Sequence, residues 1–279
     1  AAGKTGNRPT RVCAGVCYGD VMQPSSSSPL ECSGPLPPIG ARNALFLDFD
    51  GTLAELAPQP EAVLIAPDLV SILVQLAARL NGALAMVSGR RLIDLDGFLA
   101  PLQLPAAAEH GAQRRLLSGE IIRVAPPDLQ AVTRRVTALA RQHSGLRVEV
   151  KDTAVALHYR HAPELEASCL QAMGEAARNA PGLELLRGKY VLEIKLAGIS
   201  KGTAIEDFMA QAPFAGRVPL FAGDDMTDEA GFTAVQQQGG CGIKVGEGAT
   251  RARYRCPSPA ALRQWLQRAA QEPLGRIRP

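Results

Sequence analysis

Long apolar runs bounded by turn residues recur in this chain from residue 44 onward. Residues 44–49 (ALFLDF) and 83–87 (ALAMV) are apolar almost throughout, which is typical of strands buried on both faces of a parallel sheet. Between them, residues 67–82 repeat leucine and isoleucine at helical spacing, and Asn81-Gly82 marks the end of the predicted helix.

The same elements return toward the carboxyl end of the chain. A helix is predicted at 200–211, and apolar strands are predicted at 218–222 and 241–245. Strands that alternate with helices, and that end in polar residues, predict an α/β fold. We therefore expect a doubly wound, Rossmann-like parallel sheet as the core of the molecule.

In the middle of the chain, polar and apolar residues alternate with a period of two, at 146–151, 153–160 and 188–195. Amphipathic helices are predicted beside these strands, at 129–142 and 164–179. The predicted apolar face consists of Leu146, Val148, Val150, Val155, Leu157, Tyr159, Tyr190, Leu192 and Ile194. The opposite face carries Arg147, Glu149, Lys151, His158, Arg160, Lys189, Glu193 and Lys195. The pattern predicts a half-buried antiparallel sheet with helices on its apolar face and an open, mostly basic polar face.

These patterns divide the chain into three parts. Residues 113–196 are predicted to form a smaller α+β cap domain inserted into the core, which then comprises 41–112 and 197–270. Residues 1–40 are rich in serine, proline and glycine and show no periodic apolar pattern, so we predict a disordered leader.

Composition excludes several classes of function. The chain has 30 Lys and Arg against 27 Asp and Glu, a net charge of +3, which is too small to indicate a nucleic-acid partner. No apolar stretch reaches the length of about 18 residues that a membrane span needs. The six cysteines lack CxxC spacing, so neither a zinc site nor a disulfide framework is expected, and we predict a cytoplasmic protein.

Charged and polar residues follow three of the predicted core strands. They are Asp48 and Asp50 after the first, Ser88 and Arg90 after the second, and Asp224, Asp225 and Asp228 after the third. Several carboxylates at one edge of a sheet would repel one another by several kcal/mol in a partly desolvated site, and a divalent cation resolves this. Because the ligands are all oxygen, with no His or Cys nearby, Mg²⁺ is favoured over zinc.

A carboxylate beside a metal can also act as a nucleophile toward a phosphorylated substrate and form an acyl phosphate. Asp48 is the candidate, because the strand fixes its direction. Asp50 is placed to protonate the leaving alkoxide and then to activate the water that opens the acyl phosphate. Thr52, Ser88 and the amides of the Gly51 turn are candidates to receive the phosphoryl oxygens, and Lys201 offers a positive charge.

Four stretches, DFDGT, VSGR, SKG and GDDMTDE, occur in this order and resemble the four motifs of the haloacid dehalogenase-like phosphatases. Within that superfamily, LDFDGTLAELAPQP, AEHG, GKYVLEIK and GDDMTDE look most like the trehalose-6-phosphate phosphatase family. The resemblance covers nearly everything from residue 44 to about 250 and implies magnesium-dependent removal of phosphate from trehalose 6-phosphate, the last step of trehalose biosynthesis.

The resemblance also implies roles for individual residues. Asp48 would be the nucleophile and Asp50 the acid and base, with magnesium held by Asp48, Asp50 through its carbonyl, and the Asp224, Asp225 and Asp228 loop. The phosphoryl group would be held by Ser88, Gly89, Arg90 and Lys201. Sugar recognition would fall to Glu109, His110, Lys151, His158, Arg160, Lys189 and Glu193. The family often carries EIRP where this chain has EIKL, so no role follows for Lys195.

Three alternatives remain open at this point. A phosphatase of the same fold can act on sucrose phosphate or mannosyl phosphoglycerate, or the chain can be a hexose-phosphate mutase. A phosphate-accepting switch also uses an aspartate, Mg²⁺ and a lysine, but Asp50 and an inserted cap argue against it. A catalytically dead sugar-phosphate sensor has no need of Asp50.

Overall fold

The computed structural model describes residues 34–272 of the chain and contains twelve strands and seven α-helices in that range. The strands are β1 (Asn43–Leu47), β2 (Leu84–Val87), β3 (Ala106–Ala108), β4 (Gln113–Arg115), β5 (Ile121–Arg123), β6 (Arg147–Val150), β7 (Ala154–His158), β8 (Leu183–Gly188), β9 (Val191–Leu196), β10 (Val218–Gly223), β11 (Cys241–Val245) and β12 (Tyr254–Cys256). The α-helices are α1 (Leu69–Arg79), α2 (Leu92–Leu99), α3 (Gln130–Ala140), α4 (Glu166–Arg178), α5 (Lys201–Met209), α6 (Glu229–Gln237) and α7 (Pro259–Gln271).

Eight strands form the large sheet, in the order β12-β11-β10-β1-β2-β3-β4-β5. The strands from β12 to β3 are parallel, and β1 lies between β2 and β10. The strand order reverses at β1, and such a reversal opens a crevice at the carboxyl ends of the strands. The predicted α/β fold with a parallel core sheet is confirmed, and this crevice is where the acidic residues lie.

The core of the large sheet is apolar because its central strands are covered on both faces. β1, β2 and β10 are buried along nearly their whole length, and α1 packs against α7 while α5 packs against α6. Three phenylalanines, Phe46, Phe208 and Phe214, pack against one another within this core with ring centroids 5.1–6.1 Å apart. The burial of such aromatic rings fixes β1, and thus the residues that follow it.

The second sheet is antiparallel, in the order β6-β7-β9-β8. Its apolar face packs on α3 and α4 around a separate core, to which Val155, Leu157, Leu192 and Ile194 contribute. We call this sheet with its two helices the cap domain. The predicted half-buried sheet with helices on one face is present, and the strand β8 joins the three strands that the alternation predicted.

The structure shows where the cap domain meets the large sheet. β4 and β5 pair antiparallel with β3 and with each other, so residues 113–123 extend the large sheet although the sequence placed them in the cap. These strands of three residues are too short for a readable alternation. We propose that the inserted domain starts after β5.

The last residues of the predicted leader lie against the core. Ile39 is buried, and the carbonyl oxygen of Pro37 accepts a hydrogen bond of 3.1 Å from the indole of Trp265. Residues 1–33 of the predicted leader lie outside the described residues. Within the described range, no helix has both the length and the apolar character needed to cross a bilayer.

The polar face of the cap sheet is open only in part: Arg147 and Lys189 are exposed as predicted, whereas Glu193 and Lys195 are only 5% and 4% exposed. Glu193 is covered by Lys151 and His110, and the ammonium of Lys195 donates to Glu184 and to the carbonyl of Ile199. Two residues of the predicted apolar face are exposed instead. Tyr190, at 41%, occupies the β8–β9 turn with a φ of 63°, and Val150, at 55%, ends β6. Alternation predicts faces within a strand, but it fails where the strand ends.

Candidate active site

The carboxylates of the predicted site converge at the carboxyl ends of β1 and β10. Asp48 directly follows β1, and its backbone N–H donates to the carbonyl of Ala222 on β10 at 2.9 Å. Asp224 directly follows β10, and Asp228 ends the short 3-10 helix that comes next. Asp48, Asp224 and Asp228 each direct one carboxylate oxygen to within 4.8 Å of the other two.

Lys201 neutralises part of this cluster from the start of α5. Its ammonium, 3% exposed, lies 2.8 Å from Oδ1 of Asp48 and 2.7 Å from Oδ1 of Asp228. Ser200 caps the helix: its side chain accepts from the backbone N–H of Thr203, and that residue's hydroxyl accepts from the N–H of Ser200. The capped helix end therefore fixes Lys201 between two of the three carboxylates.

The charges in the cluster do not balance. Burial raises the pKa of Asp48 well above its ordinary value, Lys201 opposes this, and the charges of Asp228 and Asp224 raise it further. Burial and the charges of Asp225 and Asp228 likewise raise the pKa of Asp224 to about 7. Burial is the largest cause of both shifts, and the nearby lysines do not offset the repulsion among the carboxylates.

The residues present fit a bound divalent cation. Three buried or half-buried carboxylate oxygens meet in one place, and all-oxygen donor sets of this kind suit Mg²⁺. Gly51 provides the space for Asp224, because its φ is +73° and a Cβ at this position would lie 2.1 Å from Oδ2 of Asp224. Gly223 does the same for Asp228, whose Cγ would lie 2.3 Å from an added Cβ.

Asp225 is the predicted metal residue that the structure leaves out of this cluster. Its side chain turns to the next helical turn and accepts from the N–H and the hydroxyl of Thr227, at 2.8 and 2.6 Å. Asp228 stabilises the same loop, since its Oδ2 accepts from the N–H of Asp224 and of Asp225 at 2.9 and 3.0 Å. Asp225 therefore caps the loop that carries the two clustered aspartates.

Sequence reasoning missed Lys244, which supports the cluster from behind. This β11 lysine is 4% exposed, and its ammonium donates to the backbone carbonyl of Asp224. Burial of an ammonium costs several kcal/mol unless opposite charge lies nearby. The signal in the sequence was a lone lysine in the apolar strand CGIKV.

Asp50, the predicted acid and base, does not point into the carboxylate cluster. Its two oxygens accept from the Nε and an Nη of Arg90, at 2.6 and 2.7 Å. The guanidinium also lies over the rings of Phe49 and Phe98, 5.4 and 4.6 Å from their centroids. Arg90, which was predicted to bind phosphate, is thus a partner of Asp50 in this structure.

Two other predicted phosphate-binding residues differ in their placement. Ser88 lines the cavity next to the cluster, and its Oγ accepts from the N–H of Arg90 at 3.3 Å. Thr52 does not line the cavity: it is fully buried, and its hydroxyl donates to Oδ2 of Asp48 at 3.2 Å. Thr52 therefore orients Asp48 from the core side. Gly89 lines the cavity and uses its carbonyl to contact the cap domain.

A cavity of about 880 Å³ lies between the core and the cap domain. At its base are Asp48, Asp50, Ser88, Lys201 and Asp224. The cap contributes Lys151, His158, Arg160, Lys189 and Glu193, all of which were predicted to recognise a sugar. Its size and its mixture of charged and apolar walls suit a small phosphorylated molecule.

Glu193 and Lys151 form the buried centre of the cap side. The ammonium of Lys151 donates to Oε2 of Glu193 at 2.6 Å and to the carbonyl of Gly89 at 3.0 Å. Burial alone raises the pKa of Glu193, but the charges of Lys151 and His110 lower it, so the net value lies below the ordinary 4.5. Oε1 of Glu193 is buried, lies 3.4 Å from Nε2 of His110 and forms no hydrogen bond with the described residues. His110 and Lys151 together hold the Glu193 carboxylate at the cap wall of the cavity.

Glu149 is a cavity residue that the prediction of sugar-binding residues omitted. Its Oε2 lies 2.8 Å from Nε2 of His158, and both side chains line the cavity. The alternation in RVEV places Glu149 on the same face as Lys151, and this pattern could have indicated that Glu149 reaches the cavity. Arg160 lies over the ring of Tyr190, 5.5 Å from its centroid, at the rim.

Glu109 is the predicted sugar-binding residue that does not reach the cavity. It is 2% exposed, and its Oε2 accepts from the backbone N–H of Thr153 at 2.9 Å and from the hydroxyl of that residue. Glu109 and His110 both have positive φ, 47° and 59°, which costs about 1–2 kcal/mol for a residue with a side chain. The neighbouring His110 does line the cavity.

Comparison with known proteins assigns the family. A family model described as trehalose-phosphatase matches residues 46–260. The trehalose-6-phosphate phosphatase of Escherichia coli (strain K12) is 41% identical over 233 residues, which cover 83% of this chain and 88% of the relative. The probable trehalose-phosphate phosphatase of Sinorhizobium fredii (strain NBRC 101917 / NGR234) is 41% identical over 224 residues, covering 79% and 84%.

Solved structures agree with that comparison. A trehalose-6-phosphate phosphatase related protein superposes with a TM-score of 0.66 and 30% identity, and the match covers 81% of this chain and 96% of that one. The C-terminal domain of C. albicans trehalose-6-phosphate phosphatase has a TM-score of 0.75, 21% identity, and coverage of 83% and 92%. The second likeness is one of fold.

Proposed function

The chain belongs to the trehalose-phosphatase family, and from this premise we propose that it hydrolyses trehalose 6-phosphate to trehalose and phosphate with Mg²⁺, through an aspartyl-phosphate on Asp48. The observation that carries the proposal is the convergence of Asp48, Asp224 and Asp228 around Lys201, at the base of a cavity whose other wall is the cap domain.

The first chemical step falls to Asp48. One of its oxygens attacks phosphorus, an acyl phosphate bond forms, and the bond from phosphorus to the sugar oxygen breaks. Thr52 and Lys201 each bind one oxygen of Asp48, at 3.2 and 2.8 Å, and so orient the carboxylate for this attack. Lys201 and Ser88 are placed at the cavity base to bind phosphoryl oxygens.

Asp50 moves the protons. It donates one to the departing sugar alkoxide, and then takes one from the water that attacks the phosphorus of the acyl phosphate. This second attack releases inorganic phosphate and restores Asp48. The pair with Arg90 at 2.6 and 2.7 Å defines where the Asp50 carboxylate rests before substrate enters.

Asp48, Asp224 and Asp228 would hold Mg²⁺, together with the backbone carbonyl of Asp50. When bound, the ion supplies a positive charge that offsets both the carboxylates and the phosphoryl oxygens. The raised pKa values of Asp48 and Asp224 support this, because burial and neighbouring carboxylates disfavour their charged forms and a bound cation would offset both effects.

The cap domain supplies the recognition of the sugar. Lys151, His158, Arg160, Lys189 and Glu193 all line the cavity, where their polar groups can meet the hydroxyls of a sugar. Glu149 joins this set through its contact with His158. A closed cap also keeps bulk water from the phosphorylated Asp48.

The test is phosphate release from trehalose 6-phosphate, sucrose 6-phosphate, glucose 6-phosphate and mannosyl phosphoglycerate, with Mg²⁺ and with a chelator. We expect a strong preference for trehalose 6-phosphate that the chelator abolishes. Preference for another sugar phosphate of the panel would support the proposed phosphatase reaction but reject trehalose 6-phosphate as the substrate. Turnover of none would reject the phosphatase proposal in favour of a switch or a sensor.

A further inference from the structure

We propose that Glu109 is a positioning residue that pins the β6–β7 turn of the cap domain to the phosphate side of the site, so that Lys151 and Glu193 meet the sugar at a fixed distance from Asp48. This inference rests on the proposed function, because it explains how the sugar-binding residues of the same site are held in position relative to Asp48. It replaces the earlier expectation that Glu109 contacts the sugar directly.

The carboxylate of Glu109 is fully committed to protein partners. Oε2 accepts from both the N–H and the hydroxyl of Thr153, and Oε1 lies 3.3 Å from the side-chain amide of Gln113. The same amide of Gln113 donates to Asp152 at 2.8 Å. Glu109, Gln113 and Thr153 are 2–5% exposed, so these hydrogen bonds are shielded from water. None of the three lines the cavity, which leaves no room for a direct contact with substrate.

The backbone of Glu109 is joined to the loop that carries Ser88. Its N–H donates to the carbonyl of Arg90 at 2.9 Å, and the N–H of His110 donates to the carbonyl of Ser88 at 2.9 Å. A Cβ on Gly89 would lie 2.7 Å from Nε2 of His110, so the loop and the ring are in close contact. The loop beside the phosphoryl group and the attachment point of Glu109 are thus one rigid unit.

The left-handed backbone gives the segment its shape. Glu109 and His110 have φ of 47° and 59°, a conformation that residues with side chains adopt at a cost in free energy. This conformation turns the Glu109 side chain toward Thr153 and the His110 side chain toward Glu193 on the cap. Two successive residues therefore contact the cap domain, one at the β6–β7 turn and one at the carboxylate partner of Lys151.

Lys151 is the element that the anchor places. Its backbone N–H donates to the carbonyl of Ala154 at 2.9 Å and closes the turn that contains Thr153. Its ammonium reaches back to the carbonyl of Gly89 at 3.0 Å and to Glu193 at 2.6 Å. Release of Thr153 from Glu109 frees this turn, and a displacement of a few tenths of an ångström there moves the ammonium relative to the sugar.

The anchor is tested with Glu109→Gln, which keeps the shape and removes the charge, and with Thr153→Val, which removes the hydroxyl donor. For each, we expect kcat/KM for the sugar phosphate that the wild type prefers to fall about ten- to hundredfold, chiefly through KM. Hydrolysis of p-nitrophenyl phosphate, which has no sugar to position, changes by less than about twofold. Thr153→Ser retains the donor and restores the wild-type KM.

Two further readouts separate the anchor from general damage. Hydrogen exchange at the amides of 151–154 is expected to be faster in Glu109→Gln, without any substrate present, whichever sugar phosphate the enzyme uses. The loss in the double variant is expected to be smaller than the sum of the two single losses, because both substitutions weaken the same contact between Glu109 and Thr153. Glu175→Gln, which alters an ion pair with Arg135 between the cap helices, is the control. It should leave the KM for the sugar phosphate, the hydrolysis of p-nitrophenyl phosphate and the hydrogen exchange at 151–154 unchanged.

Equal losses on both substrates, unchanged exchange at 151–154, or additive losses in the double variant would overturn the proposal. A different preferred sugar phosphate would overturn the substrate assignment alone, because the exchange and coupling measurements do not depend on it.

Discussion

Arg90 binds the carboxylate of Asp50 through two parallel hydrogen bonds, 2.6 and 2.7 Å long. The pair joins the residue proposed to move protons to the loop that follows β2. A forked guanidinium fixes both the position and the plane of a carboxylate, which a single contact does not do. The same guanidinium is held over Phe49 and Phe98, so its own position is defined by the core.

Replacement of Arg90 should therefore slow chemistry more than it weakens substrate binding. We expect Arg90→Met to lower kcat about 100-fold, since misplacement of a catalytic group by about 1 Å has effects of that size. Arg90→Lys retains the positive charge but not the two parallel hydrogen bonds, so its kcat should lie between those of the wild type and Arg90→Met. Steady-state kcat and KM are the measurements, with Arg135→Met, which alters an exposed pair with Glu175 away from the cavity, as control. A rise in KM at unchanged kcat would instead make Arg90 a phosphate ligand.

Gly51 should be intolerant of any side chain. Gly51→Ala places a Cβ 2.1 Å from Asp224 and adds a strained φ of +73°, so we expect Mg²⁺ affinity to fall well over tenfold. Gly216→Ala is the matched control, because its φ is +75° and nothing lies within 4 Å of the added carbon. It should cost only about 1 kcal/mol of unfolding free energy and leave Mg²⁺ binding intact. Calorimetric titration with Mg²⁺ decides, and equal affinity in the two variants would contradict the account.

Lys244 should contribute to metal binding although it lies outside the cavity. Its ammonium contacts the carbonyl of Asp224 from behind, so Lys244→Met should let this loop shift and should weaken Mg²⁺ binding about tenfold. The measurement is the rise in Tm with added Mg²⁺, which is expected to be smaller in the variant than in the wild type. An identical Mg²⁺ dependence would leave Lys244 with a purely structural role.

Glu193 should distinguish the disaccharide phosphate from a small aryl phosphate. Glu193→Ala removes a buried acceptor and deprives Lys151 of its carboxylate partner, so kcat/KM for trehalose 6-phosphate should fall about ten- to hundredfold. Lys189→Ala, at an exposed position of the cavity wall, should have a smaller effect in the same direction. Competition between the two substrates measures this. Equal losses on both would remove the cap from sugar recognition.

Glu193 should also make the fold sensitive to acid. Its pKa in the folded protein lies below 4.5, because Lys151 and His110 outweigh the effect of burial. Its charge therefore stabilises the fold above about pH 4.5, and this contribution is lost as the pH falls from there toward the folded pKa. The Tm deficit of Glu193→Gln relative to the wild type should be largest at neutral pH and shrink in acid. Glu164→Gln, on the exposed surface, serves as control, and a constant deficit for Glu193→Gln would contradict the assignment.

Sequence patterns predicted the elements that carry the site, because the physical signals there are local and strong. The apolar run before Asp48 and the one before Asp224 each predict a buried strand, and the ends of parallel strands meet at one edge. The position of Lys201 was predictable as well, because Ser200 is a typical N-cap residue and Lys201 is the first residue of the helix that follows it.

What the sequence did not predict depends on contacts between distant parts of the chain. Glu109 and Thr153 are 44 residues apart, and no local pattern indicates that one binds the other. Thr52 and Ser88 look alike as small hydroxyl residues after strands, yet only Ser88 reaches the cavity. Strands of three residues, such as β4, carry too few positions for an alternation to appear. The prediction that the polar face is open was wrong at Glu193, because the His110 side chain that covers it comes from a distant part of the chain.

The most direct test of the central claim is to trap the phosphoryl group on Asp48. Asp50→Asn, which lacks the base for the second step, is mixed with Mg²⁺ and p-nitrophenyl phosphate, whose leaving group needs no proton from Asp50 in the first step, and is quenched in acid within milliseconds to seconds. The peptide that contains Asp48 is then examined by mass spectrometry. The account predicts the added mass of one phosphoryl group on Asp48, and none in Asp48→Asn. Phosphate release from Asp48→Asn at the wild-type rate, or a phosphoryl group on another residue, would contradict it.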